Sequence, residues 1–203
     1  MGVGTSQAVG ADMTEWTIVL WSAARQIAQE AELPEKLWPN EDVAPQDFFQ
    51  TLREGDDCVP AFSYAAAALP KLEAIEWALT CLPELDDAAP DFARRRLLRD
   101  AAFRWVGEPD DENRRAMYEL ADNSESGWPE TLIGLAIFFS GGSIAPDDSA
   151  PVSANTNVCS SFLSGALSIA VANHITDVPD LATRALDLAD DLAKRGREAL
   201  TAK

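Results

Sequence analysis

Leu132-Ile133-Gly134-Leu135-Ala136-Ile137-Phe138-Phe139 is a run of eight residues without a charge or a hydrogen-bonding side chain. A helix that is apolar on every side has no face to give to water and must be surrounded by other elements. The run is also far short of the roughly 20 apolar residues of a membrane span. Gly127-Trp128-Pro129 precedes it, placing a proline where a first helical turn tolerates one, and Ser140-Gly141-Gly142-Ser143 follows as a stop. The segment therefore predicts the central buried helix of a helical domain, and the rest of the chain must supply its cover.

Outward from that helix, the cover reads as further helices. From Met13 to about Glu32, Trp16, Val19, Leu20, Ala23, Ala24 and Ile27 recur at three- and four-residue steps and predict a first helix, closed by Leu33-Pro34. Trp38, in the Pro-punctuated loop after it, is expected to fold back onto the core. Pro45-Gln46-Asp47 opens a short helix through Phe48, Phe49 and Leu52. Val59 to Leu69 and Lys71 to Leu82 are separate helices, because Pro70 cannot continue one and suits the start of the next. Pro90-Asp91 and Pro109-Asp110-Asp111-Glu112 open two more, the second with first-turn acids that complement the helix dipole. After residues 141–157, rich in Gly, Pro, Ser, Asn and Asp, come Val158 to about Asn173 and Pro179 to about Ala199. No hairpin signal and no useful period-two alternation is present. The expectation is an all-α compact bundle of about eight antiparallel helices, with a long Gly/Pro/Ser-rich connection before the last two. Residues 1–12 are read as a flexible N-terminal tail and 13–203 as one helical domain.

Charge narrows the partners. Thirty-four acidic against 16 basic residues give a formal net charge of −18. Phosphate backbones are bound by clustered Lys and Arg that displace counterions, so nucleic acid is not expected as a partner, and membrane insertion is not expected either. Cys58, Cys81 and Cys159 are odd in number and widely spaced, which gives neither a disulfide framework nor a metal or redox motif. Together with the position of Arg25 as the first basic residue, they point to a cytoplasmic location.

Catalytic constellations are missing at the level of sequence. The single histidine, His174, falls at a predicted helix end, and no local motif joins it to Cys159 or to a serine. The acidic pairs Asp56-Asp57, Asp86-Asp87, Asp110-Asp111, Asp147-Asp148 and Asp190-Asp191 consist of neighbours that diverge by about 100 degrees on a helix. Ser140-Gly141-Gly142-Ser143 follows a helix instead of preceding one, so it fails as a phosphate loop. No enzyme activity, metal or cofactor is expected. The arginines from Arg94 to Arg115 are expected to pair internally or to meet a partner.

Three blocks carry a resemblance: residues Ala67-Ala68-Leu69-Pro70-Lys71-Leu72-Glu73-Ala74-Ile75-Glu76-Trp77-Ala78, residues Arg104-Trp105-Val106-Gly107-Glu108-Pro109-Asp110-Asp111-Glu112-Asn113-Arg114-Arg115, and residues Phe138-Phe139-Ser140-Gly141-Gly142-Ser143-Ile144-Ala145-Pro146. They resemble a bacterial family of unknown function (6931-like) found near type VI secretion components, including spike-tip and adaptor proteins. The resemblance spans about 47–195. It implies a non-enzymatic accessory role, as adaptor or chaperone, with a spike, adaptor or effector protein as partner. No catalytic residue comes with it. The alternative is an immunity protein that neutralises a toxin by complementary charge. The protein-binding candidates are Ser140, Gly141, Gly142, Ser143, Ile144 and Pro146 in the connection, with Arg114 and Arg115.

Overall fold

The computed structural model describes residues 15–146 and 148–201; the tail expected at 1–12 lies outside the described residues. Among those described, the chain is all-α, with ten α-helices, one 3-10 turn at Glu35–Leu37 and no strand. The helices are α1 (Ala24–Glu30), α2 (Pro45–Arg53), α3 (Val59–Ala68), α4 (Lys71–Cys81), α5 (Phe92–Gly107), α6 (Asp111–Asp122), α7 (Pro129–Phe138), α8 (Asn157–Asn173), α9 (Leu181–Arg195) and α10 (Glu198–Thr201). The count exceeds the expected eight partly because Gly196, at φ +61°, turns the chain between α9 and α10.

The apolar run at 132–139 is the centre of the molecule. α7 packs against α4, α5, α6 and α8, and Ile133, Ala136 and Ile137 are fully buried. Gly134 permits the close approach of α6, because a Cβ there would stand 3.0 Å from Met117 Cε and 3.2 Å from Ala121 Cβ. The first turn of α7 carries Glu130, whose side chain has no solvent exposure. Arg95 meets it with Nε and Nη2 at 3.0 and 3.2 Å, and Arg99 donates to Oε1 from Nε and Nη2 at 2.8 and 2.6 Å. A buried carboxylate is tolerable only with such partners, so these two arginines, expected to pair internally or to meet a partner, pair internally and fasten α5 to α7.

The first helix is shorter than its periodicity predicts. Residues 15–23 are not helical; they form a strap laid across the molecule. Thr17 and Ile18 donate backbone N–H groups to Ala193 O at 2.8 and 3.2 Å, and Thr17 Oγ1 donates to Lys194 O at 2.6 Å. The indole N–H of Trp16 reaches Asp190 at 2.8 Å, and that of Trp21 reaches Ala67 O at 3.2 Å. The strap thus caps the carbonyls at the end of α9 that have no acceptor role within the helix. Thr17-Ile18-Val19, three β-branched residues in succession, give helix little to compete with. Leu20, expected on the inner face, is 87% exposed. Trp38 does fold back, with its N–H on Leu33 O at 2.7 Å.

Candidate protein-binding surface

Asp110 caps α6, its carboxylate accepting from Asn113 N at 2.7 Å. That start fixes the register in which Asp111, Arg114 and Arg115 share one side of the helix, at spacings of three and four. Arg114 Nε and Nη2 donate to Asp111 Oδ1 at 2.8 and 2.6 Å, and Arg115 Nε donates to Asp111 Oδ2 at 2.8 Å. The two guanidinium groups hold the Asp111 carboxyl below its ordinary range, Arg115 contributing most.

The remaining donors of these arginines point at the chain leaving α7. Arg114 Nη1 donates to Phe138 O at 2.6 Å, and its Nη2 to Ser143 O at 2.9 Å. Arg115 Nη1 donates to Ala145 O at 3.0 Å, and its Nη2 to Ser143 O at 3.2 Å. Gly142 lies against this clasp at φ +66°, where a Cβ would stand 3.0 Å from Arg114 Nη2 and 3.1 Å from Asp111 Oδ1. Only glycine meets both the backbone angle and the space. Further along, Ser143 Oγ accepts from Ala145 N and Val152 N, both at 3.1 Å, and Ile144 N donates to Val152 O at 2.8 Å. The connection is therefore a closed loop with its base at 143–145 and 152.

The clasp borders an aromatic strip. Tyr118, Phe138, Phe139 and Phe162 follow one another at centroid separations of 4.6, 5.1 and 5.7 Å, and the Arg114 guanidinium sits 5.1 Å from the Phe138 ring centre. Tyr118, Phe138 and Phe139 line a cavity of about 560 Å³ together with Arg115, Glu119, Ile144 and Pro146. Tyr118 is 38% exposed, so aromatic surface remains open to a partner. Structurally, the site is a loop clasped at its base beside an aromatic groove.

The expected site residues divide into two kinds. Gly142, Ser143 and Arg115 meet at the clasp, with Ile144 and Pro146 on the groove wall. Arg114 belongs to the clasp too, but at 4% exposure its side chain shapes the loop and cannot itself be the contact surface. Ser140 turns back, its hydroxyl donating to Ile137 O at 2.7 Å, and Gly141 is exposed with open space about it. Sequence reasoning missed Asp111, Tyr118 and Phe162. The spacing of Asp111 to Arg114 and Arg115 was a signal for the first; no local pattern brings Phe162 of α8 beside Phe139.

The residues with nucleophilic or ligating chemistry stay apart. Cys159 lies in the first turn of α8 and His174 just past its last, roughly 22 Å away at the helical rise. Burial pushes the Cys159 thiol up to about 12, against the opposing influence of Lys71. Among the described residues no group of three or more His, Cys, Asp or Glu side chains could hold a metal ion, and no helix is long and apolar enough to cross a membrane.

An all-α domain built around one apolar helix, with a clasped loop at that helix's end, is the class defined by fold and site. Residues 48–193 match the family of unknown function DUF6931, and the chain belongs to that family. No curated protein and no solved structure matches the chain.

Proposed function

We propose that this chain is a non-enzymatic protein-binding module: a cytoplasmic adaptor or chaperone-like accessory of a bacterial type VI secretion system. On this reading it presents the loop at 140–146 and the aromatic groove to a spike, adaptor or effector protein. The observation that carries the reading is the clasp. Two arginines and an aspartate hold an exposed loop in one conformation, and such pre-organisation lowers the ordering entropy that binding otherwise costs. The aromatic strip beside it supplies the side-chain type that anchors interfaces. The net charge of −18 disfavours nucleic acid as the partner. Mixing the purified chain with spike-tip and adaptor proteins of a type VI secretion system from the same genome tests the proposal by titration calorimetry. Binding to one of them, weakened tenfold or more by Tyr118→Ala, is the expected result. Binding indifferent to Tyr118→Ala would move the interface elsewhere.

The same charge favours a second reading, an immunity protein that captures a basic toxin. Full inhibition of a neighbouring toxin's activity at a one-to-one ratio, without affinity for spike or adaptor, would select it.

A further inference from the structure

A second concavity lies away from the clasp, between the strap, the end of α3 and the start of α8. Leu20, Trp21, Ala66, Ala67, Leu69 and Cys159 supply its apolar walls. Its volume, about 430 Å³, is at the small end of the range that holds small molecules, roughly 300 to 1,000 Å³. The trough exists because the sequence places alanines and a cysteine there, where larger side chains would fill it. One wall is rigid: the Trp21 indole is fixed by its bond to Ala67 O. The other side is bordered by Leu20, an apolar side chain that is 87% exposed.

Polar groups are few. Lys71, Glu30, Thr156 and Ser160 complete the lining. Lys71 is exposed and makes no ion pair among the described residues, although acids outnumber bases two to one in this chain. Lys71 shares the trough lining with Cys159 and the alanines, so its ammonium-bearing side chain stands beside the apolar surface. Glu30 is on the same lining, so an anionic group is favoured beside Lys71 and disfavoured beside Glu30.

We infer that this trough binds a small amphiphile, with a compact aliphatic or aromatic body against Trp21, Leu20 and the alanines and a single anionic head group at Lys71. The site is independent of the clasped loop. It also straddles the family boundary: Leu20, Trp21 and Glu30 precede the matched residues, whereas Ala66 to Lys71 and Cys159 fall within them. The strap therefore completes a pocket that the family domain provides only in part.

The test uses the full chain and anilinonaphthalene sulfonate, an aromatic amphiphile with one anionic group. The expected result is one-to-one binding, displaced by decanoate in preference to decylammonium. Lys71→Met, at an exposed position, should weaken decanoate about fivefold while leaving decanol unchanged. Ala67→Leu, at a half-buried position, should fill the trough and abolish binding, and its melting temperature reports that the fold is intact. Absence of one-to-one binding, retention of it in a folded Ala67→Leu variant, or equal displacement by decylammonium would each overturn the inference. So would a dimer in sedimentation that dissociates on Leu20→Ala, since the trough would then be the seat of a second copy.

Discussion

Gly142 and Arg114 depend on each other. At φ +66° and with the guanidinium 3.0 Å from where a Cβ would be, Gly142→Ala adds backbone strain to a collision, and a loss of about 1 to 3 kcal/mol is expected in urea denaturation. Arg114→Ala removes the donor to Phe138 O and leaves Ser143 O with Arg115 alone, with an expected cost of about 2 to 3 kcal/mol. If the clasp acts as a unit, the double variant should lose clearly less than the sum of the two, which a double-mutant cycle measures directly. Asp111 adds a pH signature. Its pKa is lower in the folded than in the unfolded chain, so its contribution is fully present above the unfolded value and disappears as pH falls through the folded one. Stability of the wild type relative to Asp111→Asn should therefore converge as the solution is acidified below the ordinary carboxylate range. A difference that grows on acidification would have the wrong sign. Because Asp111 is 60% exposed, solvent screening keeps this contribution modest.

At the scale of elements, what local sequence could reveal depends on where each element's hydrogen bonds go. α7 was legible because eight apolar residues between proline and glycine leave one solution, and Pro70 and Asp110 marked helix starts that the structure places at Lys71 and Asp111. The strap was not legible. Its three- and four-residue spacing is that of a helix, but its partners are Ala193 O and Asp190 at the far end of the chain, and no window of sequence contains both. The internal pairing of Arg95 and Arg99 could be expected from the surplus of acids, but not its acceptor, for the same reason: Glu130 is 35 and 31 residues away. Glu130→Ala should cost about 3 to 5 kcal/mol, since it removes the carboxylate from Arg99 and leaves Arg95 with Asp91 at 3.8 Å, while Glu130→Gln, which keeps an acceptor, should cost less. Equal losses for the two would show that packing, and not charge, is what Glu130 contributes. In the connection at 141–157, glycine and proline content marks irregular backbone, whereas the closure of Ser143 and Ile144 onto Val152 follows no turn pattern in the sequence.

For the whole molecule, the core is continuous from the strap to α10, and Trp77 lies at its interior with no exposed surface and its N–H on Ala185 O at 2.7 Å. Trp77→Ala should lower stability by about 3 to 5 kcal/mol, more than any substitution at the clasp, because the clasp lies at the rim. That difference in depth is what allows the loop to change without unfolding the domain. The most direct measurement is titration calorimetry of the partner protein against a variant in which residues 144–152 are replaced by a Gly/Ser linker of equal length, alongside its melting temperature. The expected result is loss of binding with a melting temperature within a few degrees of the wild type. Undiminished binding by the folded variant would contradict the account and leave the loop a mere connector between α7 and α8.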